Sequence, residues 1–105
     1  MMLDFNIFAM NFHEYLYSLG FVSLSSDGIS DYFLGKDYEE YFGIHHNHKH
    51  ESVWYRESNT SRCEKLDDIT PEDEQFLKQL AAKLVKIYKQ NNIKKAMEEI
   101  EKDFV

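Results

Sequence analysis

Cysteine occurs once in the 105 residues, at Cys63, and proline once, at Pro71. A single thiol excludes an internal disulfide framework and fits a reducing compartment, so the cytoplasm is the expected location. Glycine is scarce too, four residues in all, scattered too widely for a phosphate-cradling loop or a GxSxG nucleophile elbow. There is no uninterrupted apolar run of the ~18 residues that a spanning helix needs. The start, MMLDFNIFAMNF, has no cationic stretch ahead of an apolar one, so membrane spanning and secretion are both disfavoured. Positive charge is also in deficit. Twelve Lys and Arg stand against nineteen Asp and Glu, a net charge of −7, opposite to the footprint that neutralises phosphates. Direct nucleic-acid binding is therefore not expected.

Apolar and aromatic side chains are plentiful, 43% and 15% of the chain, including eight Phe and seven Tyr. That is enough for a packed core, and the length suits one domain, 1–105, without linkers or repeats. The charge is uneven: residues 1–60 hold nine acids and three bases, whereas 61–105 hold ten and nine.

Hydrophobic spacing predicts an α+β fold: an N-terminal helix, an antiparallel β-meander of three to five strands, and two C-terminal helices packed on one sheet face. The first helix is read from Phe12, Leu16 and Leu19 on one face, with an Asn11/Glu14 capping box and Gly20 as a stop; Phe5 and Phe8 extend the stripe back to about Asp4. Asp27-Gly28 is a strong hairpin signal, because both central residues of a type I′ turn need positive φ. Further runs at Ile29–Leu34, Tyr38–His45, Ser52–Glu57 and Arg62–Leu66 complete the meander, although part of 29–43 also fits helical spacing. Thr70-Pro71-Glu72-Asp73 then opens a helix with an N-cap, a first-turn proline and acids at the positive end of the dipole. Its apolar face, from Phe76 to Tyr88, lies roughly 170° around the axis from that of Ile93, Met97, Ile100 and Phe104, at ~100° per residue. Both faces cannot meet one core along an unbroken rod. Either Asn91-Asn92 breaks the helix, or the far half reaches a second copy through Ile93, Met97, Ile100 and Phe104.

Chemistry is sparser. Four of the five histidines fall within GIHHNHKHE, residues 43–51. In an extended chain His46, His48 and His50 share a face at ~6.6 Å intervals, a spacing at which imidazoles can converge on a divalent transition metal such as zinc. No HExxH, CxxC or cupin-type glutamate supports such a site, and a solvated turn or a pH-responsive patch accounts for the same residues. Cys63 in SRCEKL has no helix N-terminus or signature to make it a nucleophile. The carboxylate clusters Glu39-Glu40, Asp67-Asp68 and Glu72-Asp73-Glu74 read as turns and first helical turns. No catalytic residue and no cofactor are assigned. The aromatic residues of the middle segment exceed the needs of one sheet face, and with their acidic neighbours they describe an interaction surface. Tyr38, Glu39, Glu40, Tyr41, Trp54 and Tyr55 are its candidates. The expected function is that of a small acidic binding or regulatory protein of inhibitor or adaptor type. It would act through contact with a protein partner that has a basic surface, and would itself be homodimeric. The alternative is a metal-binding regulator or metal-dependent enzyme built on the histidine cluster.

Overall fold

A computed structural model describes residues 2–34, 39–46, 51–58 and 61–103, the side chains of 39 and 98–103 apart. In chain order the elements are α1 (Phe5–Leu19), β1 (Val22–Ser26), β2 (Ile29–Leu34), β3 (Glu39–His46), β4 (Glu51–Tyr55), β5 (Glu64–Asp67) and α2 (Pro71–Asp103). The fold is α+β, a five-stranded antiparallel sheet in the order β1-β2-β3-β4-β5 with two helices. None of the described helices is long and apolar enough to cross a membrane.

Helix α1 begins where Asp4 caps it: its carboxylate accepts the Ile7 N–H at 3.1 Å. Asn11 therefore lies inside the helix rather than at its start, and the Asn11/Glu14 spacing caps nothing. Phe5, Phe8, Phe12 and Leu16 recur at helical intervals and are all buried. Gly20, at φ 102°, takes the left-handed stop, and the Phe21 N–H returns to the Leu16 carbonyl at 3.1 Å. Between β1 and β2, Asp27 and Gly28 both have positive φ, 51° and 77°, and Ser26 pairs with Ile29, the two-residue hairpin that the sequence predicts.

Alternation along the strands sorts side chains onto two faces. Tyr32, Phe42 and Tyr55 lie side by side across β2, β3 and β4, and each meets helical residues. Tyr32 shares a 2.6 Å hydrogen bond with His13. Phe42 packs edge-on against Phe12 at 5.4 Å, and Tyr55 against Phe76 at 5.5 Å. The core also takes in Ile44, Val53, Ile69, Leu77, Leu80, Ala81, Leu84 and Val85. The helices are tied together where the Leu3 N–H reaches the Ile69 carbonyl at 2.7 Å and where the Tyr15 hydroxyl donates to the Lys78 carbonyl at 3.2 Å.

The C-terminal region departs from the expected helical hairpin. It is one helix of 33 residues, opened by a reciprocal cap: the Asp73 N–H donates to Thr70 Oγ1 at 3.2 Å and the Thr70 N–H to Asp73 Oδ2 at 3.0 Å. Asn91-Asn92 does not stop it. Neither residue takes positive φ, and two asparagines weaken a helix by only ~0.5 kcal/mol each, less than exposing a new set of unpaired N–H and C=O groups would. At 1.5 Å per residue the helix is about 50 Å long. The molecule measures 58 × 28 × 25 Å, so α2 must follow the long axis. From Lys89 to Met97 every residue is exposed, with Ile93 at 62% and Met97 at 60%.

Candidate functional site

The sheet face opposite Tyr32, Phe42 and Tyr55 carries Val22, Leu24, Asp31, Glu40, Gly43, His45, Trp54 and Lys65. Asp31, Gly43, Trp54 and Lys65 form one row across β2 to β5. At its centre Gly43 leaves room for its neighbours: a Cβ there would sit 3.1 Å from Asp31 Oδ1, 3.8 Å from Trp54 Cβ and 4.0 Å from Glu40 Oε1. The two carboxyls thus lean over a backbone that has no side chain, beside the indole.

Glu40 reaches this face because of a β-bulge. The register slips between Tyr32 and Phe33, so that Phe42 faces Tyr32 while Glu40 faces Phe33. Tyr41 is the extra residue, and both it and Phe42 are buried. In a regular strand Glu40 would share the face of Phe42; the inserted residue turns it to the other side.

The pair is electrostatically strained. Glu40 holds its proton above the usual carboxylate range, first because burial penalises its charge, then because Asp31 is an adjacent like charge and a hydrogen-bond partner; Arg56 only partly opposes this. Arg56 and Lys65 also make other contacts. Arg56 directs its Nε–H to Cys63 Sγ at 2.8 Å, and Lys65 lies 3.7 Å from Asp67 and 5.9 Å from the Trp54 ring. The indole Nε1 of Trp54 is buried without a hydrogen-bond partner among the described residues, and its ring lies 5.8 Å from that of His45. A raised carboxyl pKa means that the fold favours the protonated form, so this contribution to stability is full below pH 4.5 and fades as pH rises through the raised value. Glu40→Gln is accordingly expected to raise the melting temperature at pH 7 and to leave it nearly unchanged at pH 4. Equal effects at both values would show that charge is not the cause.

Of the six residues expected to form an interaction surface, Glu40 and Trp54 come together here. Tyr41 is in the core, and Tyr55 faces the helices, its phenol pKa raised by burial and then by Glu64, Glu57 and Asp73. Tyr38 and the side chain of Glu39 lie outside the described residues, as do Phe104 and the side chain of Ile100. Sequence reasoning did not single out Asp31 beyond its place among acidic neighbours, nor Gly43, Val22 or Leu24. Val22 and Leu24 stand 51% and 62% exposed on the edge strand, Leu24 directly opposite Asp31; their alternation in VSLSS was the available signal.

The histidines do not assemble among the described residues. His45 lies against Trp54, whereas its neighbour His46 lies 5.6 Å from Phe5 of α1, on the other face; His48 and His50 lie outside the described residues. His13 is engaged with Tyr32 and Cys63 with Arg56. Among the described residues no group of three or more His, Cys, Asp or Glu could hold a metal ion. Nor does likeness to other proteins bear on the site: no family model, no curated protein and no solved structure matches the chain.

Proposed function

We propose that this is a binding protein of regulatory type, an inhibitor or adaptor, whose sheet face around Gly43 takes a basic surface of a protein partner. The observation that carries the reading is the Asp31–Glu40 pair, two carboxyls held together beside Trp54 whose repulsion Arg56 offsets only in part. Bringing a lysine or arginine from a partner to that place would relieve the repulsion, and the indole offers a ring face to the same cation. Val22 and Leu24 add exposed apolar area on the same face, as the centres of protein interfaces require. Steering by the net charge of −7 would speed encounter with a cationic surface. In this reading the acting species is a homodimer, which presents the face twice.

Trp54 is the sole tryptophan, so its fluorescence reports on the site directly. Titrating an arginine- and lysine-rich peptide is expected to change the emission saturably, more weakly at high salt, and Asp31→Asn with Glu40→Gln should weaken binding tenfold or more, roughly the loss of a charge pair at an interface. An acidic peptide of equal length serves as control. Emission that does not move, or moves equally in the double variant, removes the reading.

A further inference from the structure

Strand β1 lies at one edge of the sheet and β5 at the other, and the two edges are built differently. Three of the four residues of β5 are charged, Glu64, Lys65 and Asp67, the composition that keeps an exposed edge from pairing with another chain. Strand β1 reads Val22-Ser23-Leu24-Ser25-Ser26 and has no charge, proline or bulge. Its outer side is open. The two-residue turn makes Ser26 and Ile29 a hydrogen-bonded pair, so along the antiparallel ladder Leu24–Asp31 and Val22–Phe33 are bonded pairs too. The N–H and C=O groups of Ser23 and Ser25 therefore point away from β2, and no described residue bonds them. Exposed apolar side chains bracket this edge on both faces. Val22 and Leu24 lie on the Gly43 side. On the other side the hydroxyl of Tyr17 shares a 2.8 Å hydrogen bond with Ser23 Oγ, and Met10, seven residues earlier and so on the same flank of α1, is exposed as well.

We infer that two copies of the chain join edge to edge through β1, antiparallel about a two-fold axis at Leu24, into one continuous sheet. This deepens the homodimer of the proposed function and rests on that part of it alone. Of the registers a two-fold axis allows, only the one that sets Ser23 against Ser25 of the second copy engages every outward group of both serines. A shift either way sets Ser25 against Phe21, whose N–H already reaches Leu16, or Ser23 against Asp27 in the turn. Leu24 then meets its own counterpart as a non-bonded pair, the kind in which side chains stand closest. Charge agrees with a second copy as the occupant. The pairing strip is neutral, and Asp31 faces its counterpart across both β1 strands, three strand spacings or about 14 Å, beyond the screening length of about 8 Å at physiological salt. Two chains of net charge −7 can thus approach along it. The assembly closes there, because the edges left free are the two charged β5 strands. The row of Lys65, Trp54, Gly43, Asp31 and Leu24 runs through the axis into the same row of the second copy, so both Gly43 faces open on one side, about 24 Å apart.

The test is sedimentation of the full chain over a concentration series, for the parent, Ser25→Pro and Ser25→Ala. Proline deletes an outward N–H that β2 does not use, whereas alanine keeps it; both lose the hydroxyl contact to Ser30. The parent should dimerise, Ser25→Ala should match it, and Ser25→Pro should associate about tenfold or more weakly, for two bonds lost per dimer. Circular dichroism checks that each variant folds. Oxidation of Leu24→Cys in a Cys63→Ser background is a second measure that needs no proline. The Cα atoms of a non-bonded pair lie about 4.5 Å apart, within disulfide reach, so Leu24→Cys should cross-link into a dimer and Val22→Cys should not. A parent that stays monomeric overturns the pairing together with the homodimer. A dimer that Ser25→Pro weakens no more than Ser25→Ala does, or in which Leu24→Cys fails to cross-link, uses another surface and overturns the β1 pairing alone. Binding at Trp54 is read separately by fluorescence, and a monomeric parent that takes up the basic peptide leaves that reading standing.

Discussion

Phe12→Ala is expected to cost about 3–5 kcal/mol of stability, the usual loss for truncating a fully buried phenylalanine. Phe12 is wholly buried, lies stacked at 5.5 Å on Phe8 and meets Phe42 edge-on, so it joins α1 to the middle strand of the sheet. Its removal leaves a void walled by two rings that are themselves held in place, Phe42 by Phe21 at 5.7 Å, and a wall of that kind collapses poorly. Domains of this size commonly have about 5–15 kcal/mol in total, so the variant should populate unfolded chain at ambient temperature. Urea unfolding followed by circular dichroism measures the loss, with Phe12→Leu as the volume-sparing control. A midpoint for the alanine variant close to that of the leucine variant would mean that the ring cluster is not the joint between helix and sheet.

The second large effect is alkaline. Tyr32 is 1% exposed, and its phenol pKa is pushed up to about 12 from 10.0, chiefly by burial and further by Tyr17. The folded state therefore holds this proton more tightly than the unfolded chain does. Its contribution is complete below pH 10 and is lost as pH rises towards 12, at up to about 1.4 kcal/mol per pH unit. Over the window the loss should reach on the order of 2 kcal/mol. Tyr32→Phe should be less stable than the parent at pH 7 by about 1 kcal/mol, for the lost hydrogen bond to His13, and should show a shallower alkaline decline. If parent and variant decline in parallel, Tyr32 is not the group that titrates.

What the sequence conveyed and what it concealed divide along physical lines. Asp27-Gly28 and Thr70-Pro71 were legible because backbone conformation and capping are decided within a few residues. The burial of Phe5, Phe8 and Phe12 was legible because a stripe that keeps its phase has only one face to hide. The bulge at Tyr41 was not legible: TyrGluGluTyrPhe alternates no better with an inserted residue than without one, and only pairing with Tyr32 and Phe33 reveals the slip. That slip decides which side Glu40 takes, so the carboxyl pair could not be read in advance. Trp54 and Tyr55 looked like one aromatic patch, yet neighbours on a strand face opposite ways. The mismatch between the two stripes of α2 was visible from periodicity, but sequence left open whether a break or a second chain resolves it; the helix runs through Asn91-Asn92 without a break.

The strand order has a consequence for how the molecule comes into being. Every strand lies next to the one that precedes it along the chain, so each addition to the sheet closes a short loop, at small entropic cost. A nascent chain leaving the ribosome can zip the five strands in the order they emerge, starting at the tight turn of Asp27 and Gly28, while α1 waits alongside with its phenylalanines. Only α2, which follows the strands, supplies Leu77, Leu80 and Leu84 to seal the core. Until translation reaches that helix the growing sheet has a greasy side open to water, the interval in which a chaperone would be of most use to it.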